Sequence, residues 1–309
     1  MPSADVVIVV VSFHTAALLR ACLSSLNSAL GAGSHRIAGQ VVVVDNASSD
    51  GTPAMVREEF PDVRLIALDE NRGFAAANNL AIRDSDAGYV LLLNPDTEVL
   101  GDAPSALVRF LDAHPKVGAC GGRLLNSDLT FQHSCFRFPT LPMSFFDLFP
   151  LNHRIVDSRL NGRYPRRWYN RPFPIDHPLG ACLMVRREAI QRVGLLDEGF
   201  FMYCEEVDWC YRIKKSGWEI YYTPDAEIVH HGGQSTRQLA GPMLIELHRG
   251  RDRFFRKHYG AAYAEAARAI VRLGMATAAR RVRQDAAAGR IDHPTLDRQL
   301  AIFREVGTR

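Results

Sequence analysis

Three apolar runs in the first third of the chain, Val6–Val11, Val41–Val44 and Tyr89–Leu93, each end abruptly at a polar cluster. Their apolar residues are consecutive rather than alternate, the pattern of strands covered on both faces. Helical stretches separate them. Thr15–Leu30 is one. A second starts after Ser49 or Asp50, with Pro53 tolerated in its first turn, and the Ala-rich Phe74–Arg83 is a third. Val63–Leu68 reads as a further strand, Pro104–Ala113 as a helix and Val117–Leu124 as a strand. This alternation predicts an α/β chain with a Rossmann-like, mostly parallel sheet flanked by helices.

The pattern breaks after Asn126. Residues 126–178 have weak periodicity and are rich in Pro, Arg and aromatic residues, among them Phe131, Phe136, Phe138, Phe145, Phe146, Phe149, Trp168, Tyr169 and Phe173. A structureless loop of that length is rare in a compact domain, so a partly ordered insertion over a cleft is expected. Gly180–Arg186 resumes a strand, Glu206–Ser216 a helix stopped by Gly217, and Trp218–Tyr222 a strand. Gln238–Lys257 and Ala261–Gln284 read as helices parted at Tyr259-Gly260.

Charge divides the chain where the last two helical stretches begin. From Arg237 onward 15 basic residues face seven acidic ones, a net of +8, whereas the first 236 residues carry a net of −5. An acidic body argues against nucleic acid as a partner. The tail sets Arg249, Arg251, Arg253, Arg256 and Lys257 around Phe254 and Phe255, and Arg268, Arg272, Arg280, Arg281 and Arg283 among Ile270, Val271, Leu273 and Met275. Such a basic amphipathic segment suits the anionic inner face of a membrane, the rest of the chain, or a second copy in a homo-oligomer. The six cysteines form no C-x-x-C pair and read as reduced thiols, the N-terminal stretch lacks a basic leader, and no run reaches 18 apolar residues. A cytoplasmic chain, peripheral to a membrane at most, is the expectation.

In open α/β sheets ligands bind at the carboxyl ends of the strands. Three polar clusters stand at such ends: Asp45–Gly51, Asn94-Pro95-Asp96, and His230–Gly233 after Ile228–Val229. Asp45 can accept hydrogen bonds from a base or ribose, or cap a helix. Asn94 and Asp96 can present hard oxygens to Mg²⁺ or Mn²⁺ carrying a diphosphate, or form a turn. A histidine can be a further ligand or a structural residue. The fourth cluster, Tyr203–Cys210, opens a helix with Glu205, Glu206 and Asp208 among apolar and aromatic flanks. It is either a solvated acidic helix start or a partly buried carboxylate raised in pKa and able to act as a general base. The motifs G-x-G-x-x-G after the first strand, G-x-x-x-x-G-K-[ST] and G-x-S-x-G are absent. That disfavours a dinucleotide dehydrogenase, a P-loop enzyme and a hydrolase with that nucleophile elbow.

The order and spacing of Val7–Phe13, Val42–Thr52, Asn71–Asn79, Leu91–Glu98, Gly180–Val185, Gly194–Gly217 and Ala226–Ser235 carry a resemblance over residues 6 to 236. The chain resembles the inverting glycosyltransferases of family 2, which have the GT-A fold, and most their rhamnosyltransferase-type branch. The resemblance implies a GT-A catalytic domain over 1–236, with 126–178 on the acceptor side, and a basic helical extension over 237–309. It implies a dTDP- or UDP-linked sugar donor held by Ser12, Phe13, Asp45, Asn71, Arg72, Gly73, Asn78, Asn94 and Asp96. Asp96 and His230 would ligate the divalent metal, with Asn94 standing where the family usually has an Asp. Glu206 would be the base, with Glu205 beside it and Asp208 orienting the acceptor or the helix of Trp209. Trp209, Gly180 and Ala181 would lie toward a glycan or polyprenyl-linked saccharide acceptor. Transfer of rhamnose is the implied reaction. Galactofuranose, glucose or N-acetylhexosamine donors, a nucleotidyltransferase, and an inactive binding protein of the same fold are the alternatives.

Overall fold

In the computed structural model, which describes residues 4–31, 37–149, 158–232 and 240–308, β1 (Val6–Ser12) is buried at all seven positions. Val6, Ile8 and Val10 share a core with Leu19, Leu23 and Leu26 of α1 (Ala16–Gly31) and with Leu107 and Leu111 further along the chain. Val7 and Val9 are equally buried on the other face. β2 (Gly39–Asp45), α2 (Thr52–Glu59), β3 (Arg64–Ala67), α3 (Gly73–Arg83) and β4 (Tyr89–Leu93) complete the first part of the sheet, where β1 lies between β2 and β4 and every pairing is parallel. The expected cap of α2 is modified. The αL Gly51 takes the N-cap position, and Asp50 accepts from the Thr52 amide (3.1 Å) and also from the Ala16 amide (3.0 Å).

Beyond β4 come β5 (Thr97–Val99), α4 (Ala103–Ala113), β6 (Val117–Leu125), β7 (Phe131–Gln132) and β8 (Cys135–Phe136). After α5 (Leu141–Leu148) follow β9 (Phe173–Pro174), β10 (His177–Pro178), β11 (Cys182–Arg186), α6 (Arg187–Val193), α7 (Glu205–Lys215) and β12 (Glu219–His230). The sheet order is β3-β2-β1-β4-β11-β6-β12-β5, with β7 on β6 and β9 on β12. β11 is antiparallel to both its neighbours, and β5 to β12. The two apolar runs read separately around Tyr222 and Ile228 are one strand. Its register shifts between Tyr222 and Glu227, where Pro224 has no amide to give to a ladder.

The described chain divides into two compact units. The first holds Met1–Phe138, Tyr164–Phe201 and Glu205–Ser235; the second holds Pro139–Arg163, Met202–Cys204 and Thr236–Arg309. The boundary read at 236/237 lies outside the described residues, as do Gly233, Ser235 and Arg237. Within the second unit α8 (Ala240–His258), α9 (Ala261–Ala287) and α10 (His293–Thr308) pack on one another, and α5 packs on α9. Tyr263 Oη accepts from the Leu141 amide (3.0 Å), Gly274 admits Leu148, and Phe254 and Phe255 are fully buried. Part of the basic charge is consumed here, because Arg251 pairs with Asp147 (2.7 Å) and Arg268 with Asp252 (2.7 Å). Among the described residues no helix is long and apolar enough to cross a membrane, and all six cysteines are free and buried.

Candidate active site

Ser12 and Asp45 end adjacent parallel strands and face each other in register. Both are buried. Asp45 Oδ2 accepts from the Ser48 amide (2.9 Å), but Oδ1 is buried without a partner. A buried carboxylate oxygen left unpaired is costly, so this one would gain from a ligand donor. Ser12 is engaged with Thr15 (2.8 Å), and the ring of Phe13 lies against His14. His14 escaped the sequence reading. Its left-handed backbone and its Nδ1, which accepts from the Ser49 amide (3.2 Å), knit the β1 end to the Asp45–Gly51 loop.

Asn46 binds the next loop into the same place. Its Oδ1 accepts from the Arg72 amide (3.1 Å) and its Nδ2 donates to the Gly73 carbonyl (3.1 Å). Asn71 Oδ1 accepts from the Gly73 amide (2.9 Å). Gly73 has φ +80°, and a Cβ there would lie 2.4 Å from the Phe201 carbonyl oxygen, so only glycine fits. That carbonyl accepts from the Phe74 amide (2.7 Å), which joins this loop to the chain just before the glutamate pair. Arg72 pairs with Glu70 at the surface, and Asn78 is buried with Nδ2 on the Phe74 carbonyl and Oδ1 unpartnered.

At the β4 edge the Asn94 amide donates to the Ala181 carbonyl (3.1 Å). Asp96, two residues on, is buried and lies 3.5 Å from His230 Nε2 through Oδ1. The orientation of His230 is fixed by a residue the sequence reading passed over. Its Nδ1 is 2.8 Å from Gln132 Oε1, while Gln132 Nε2 donates to the His230 carbonyl (3.1 Å) and to Asn126 Oδ1 (2.9 Å). A carbonyl can only accept, so the amide must turn its NH₂ that way and its oxygen toward Nδ1. Nδ1 therefore carries a proton, and Nε2 is the ring nitrogen that faces the Asp96 carboxylate. A carboxylate and an imidazole nitrogen placed in this way are a donor set that would suit Mn²⁺ or Mg²⁺. His231 does not offer this, because its ring nitrogens are taken by Glu98 (2.7 Å) and Ser127 (2.8 Å). Among the described residues no three His, Cys, Asp or Glu side chains cluster as a closed metal cage. Two protein ligands would leave the remaining positions to phosphate and water, as is usual for Mg²⁺.

The glutamates open α7 after two consecutive non-glycine residues in the left-handed region, Tyr203 (φ 67°) and Cys204 (φ 70°). Glu205 is buried, with Oε2 unpartnered; burial, then the neighbouring Glu206 charge, hold its carboxyl well above the usual range. Glu206 is half-buried. Desolvation pushes its pKa up to about 6, against the opposing pull of the Glu206 and Val207 amides at the helix start. Gly180 lies beside it: a Cβ there would come 3.4 Å from Glu206 Cγ and 3.6 Å from Oε1. Contacts from Asn94 to Ala181, and from the adjoining Gly180 to Glu206, thus link the Asp96 turn to the raised carboxylate.

Several expected residues face elsewhere. Trp209 is fully buried, and its Nε1–H donates to the Gly194 carbonyl (2.9 Å), so it offers no face to an acceptor. Asp208 is fully buried and bound to Arg212 (2.8 Å), whose other nitrogens donate to the Val193 and Leu195 carbonyls. It positions the helix rather than a substrate. Ala181 reaches the site through its carbonyl while its side chain lies in the core. The 126–178 segment also disperses. Asn126 and Gln132 serve His230, Leu141–Leu148 belongs to the helical unit, and Tyr169 and Phe173 are buried against Tyr222 at 4.9 and 5.1 Å. Arg137 and Arg166 stack on the rings of Tyr164 and Phe131.

Comparison with known proteins agrees with this fold. Residues 7–194 match the family described as Glycosyl transferase family 2. The N-acetylglucosaminyl-diphospho-decaprenol L-rhamnosyltransferase of Mycobacterium tuberculosis is 30% identical over 230 residues, 68% of this chain and 72% of that protein. A rhamnosyltransferase of Escherichia coli is 27% identical over 177 residues, 54% of this chain and 64% of that protein. In fold, the chain is similar to a mannosyltransferase of Pyrobaculum calidifontis, solved in complex with GDP-Man and Mn²⁺. The TM-score is 0.58 at 20% identity, covering 99% of this chain and 86% of that one. The sheet, its carboxyl-edge loops and these relatives place the chain in glycosyltransferase family 2, with the GT-A fold, on the branch that holds the rhamnosyltransferases.

Proposed function

We propose that this nucleotide-sugar-dependent transferase moves rhamnose from a dTDP- or UDP-linked donor to a hydroxyl of a glycan or polyprenyl-linked saccharide, inverting the anomeric carbon. The observation that carries the mechanism is the Glu206 carboxylate, raised to about 6 and set beside Gly180, next to the Asn94–Ala181 contact. Asp45 Oδ1 and the Asn46–Gly73 clasp would receive the nucleoside. Asp96 and His230 would hold a divalent cation on the diphosphate, where it would offset the charge of the leaving group. Glu206 takes the proton of the acceptor hydroxyl as that oxygen bonds to the anomeric carbon. The bond to the diphosphate oxygen breaks on the opposite face, and nucleoside diphosphate leaves with its electron pair. No protein nucleophile is involved, and one displacement gives inversion. The decaprenol-linked acceptor in the name of the mycobacterial relative supports a lipid-linked saccharide here.

The same reading places the enzyme in the cytoplasm, peripheral to the membrane. Arg272, Leu273, Arg280 and Arg283 are exposed at helical spacing on α9, and Leu273 is 59% exposed. Among the described residues none of these arginines is ion-paired, so the face suits anionic headgroups.

The test is donor consumption over a panel of dTDP- and UDP-sugars, with and without Mn²⁺ or Mg²⁺, followed by mass analysis of the nucleotide and the anomeric coupling of the product. Nucleoside diphosphate and an inverted rhamnoside are expected. Pyrophosphate release, a retained anomer, or metal-independent turnover would overturn the reading.

A further inference from the structure

The short strand β7 lies at the start of the segment expected to face the acceptor, yet its Gln132 meets His230 across 98 residues of sequence. Each link is fixed by an atom that has one role only. The Phe131 carbonyl accepts from Asn126 Nδ2 (3.3 Å), so Asn126 must turn Oδ1 to Gln132 Nε2 (2.9 Å). The His230 carbonyl accepts from the same Nε2 (3.1 Å), so Gln132 must turn Oε1 to Nδ1 (2.8 Å). The relay ends on the imidazole, whose Nε2 faces Asp96.

We infer that Gln132, held by Asn126, is a positioning residue that sets the Nδ1–H tautomer of His230 and so presents the Nε2 lone pair to the cation bound with Asp96. This rests on the reading of Asp96 and His230 as the ligand pair. Partners of this kind fix ring orientation and ligand basicity, and their loss costs about 10–100-fold in metal affinity. Without the amide oxygen the ring is free to move its proton to Nε2, where it donates to Asp96 and closes the position. The hairpin therefore serves the donor side of the reaction, in a segment whose composition points to the acceptor.

Mn²⁺ binding to the full chain, followed by electron paramagnetic resonance with and without dTDP or UDP, tests this together with ¹⁵N NMR of the histidine ring. Gln132→Leu keeps the volume and removes the acceptor; it is expected to weaken Mn²⁺ about 10–100-fold and to move the His230 proton from Nδ1 to Nε2. Asn126→Ala, which loosens only the far link, is expected to change both readouts in the same direction and by less, and it serves if Gln132→Leu does not fold. Wild-type Mn²⁺ affinity and tautomer in both variants, while His230→Ala loses binding, would overturn the role of Gln132 alone. Unchanged binding in His230→Ala and Asp96→Asn would overturn the ligand pair, and with it this inference.

Discussion

Replacing Glu206 by Gln keeps the side-chain volume beside Gly180 and removes only the ability to take a proton. The Asp45 and Asp96 regions keep their contacts, so donor binding should stay within a few-fold of wild type. Loss of a general base lowers turnover by about 10²–10⁴, or about 2.7–5.4 kcal/mol of barrier. The pKa of about 6 sharpens the expectation. The unprotonated form is the active one, so activity rises with pH through 6 and is lost below it. At pH 5 roughly a tenth of the enzyme holds the base form, and kcat/KM should fall about tenfold per further unit of acid. The assay is the kcat/KM of nucleoside diphosphate release between pH 5 and 8, beside calorimetric donor binding. Glu206→Gln should lie 10²–10⁴ below wild type at pH 7 and show no acid limb near 6. Wild-type turnover in the variant would remove Glu206 from the role. A low rate that keeps the same acid limb would assign that limb to Glu205.

Three other outcomes follow from the same geometry. Gly73→Ala forces a left-handed alanine against the Phe201 carbonyl and breaks its bond with the Phe74 amide. Chemical denaturation should show a loss of about 2–4 kcal/mol, with weaker donor binding in the fraction that folds. Glu205, raised by burial, stays protonated in the native state where the unfolded chain has lost that proton. Native protein then binds more protons than unfolded, and stability falls as pH rises above about 4.5. Glu205→Gln should therefore melt above wild type at pH 8 and converge with it near pH 4.5. Changing Arg272, Arg280 and Arg283 to Gln should cost about 3 kcal/mol of binding to vesicles rich in anionic lipid, near two orders of magnitude. Absence of wild-type binding at low salt would sink the membrane contact.

The legible features were those whose cause is local. Consecutive β-branched residues can be buried on both faces wherever they lie, so Val6–Val11 and Val41–Val44 announced a doubly covered sheet. Strands in such a sheet end at a ligand-facing edge, so Asp45, Asn94 and Asp96 could be singled out from their place after each run. Glu205 and Glu206 stood out through acidity set among aromatic flanks, but nothing local told the helix which face to bury. Packing against the Val193–Leu195 turn decided that, spending Trp209 on the Gly194 carbonyl and Asp208 on Arg212, and leaving Glu206 beside Gly180. The aromatic composition of 126–178 was equally uninformative, since rings that cover a core and rings that could stack on a sugar have the same chemistry.

By itself, then, the sequence determined the layered sheet and the carboxyl-end edge on which the candidate carboxylates stand, because burial pattern and strand polarity are written in neighbouring residues. Tertiary structure alone decided which histidine of the His230-His231 pair faces Asp96, and that Leu141–Leu148 belongs with the C-terminal helices. The physical reason is that a tautomer or a helix face is set by the partner that reaches it. Here those partners, Gln132 and Tyr263, stand about a hundred residues away along the chain.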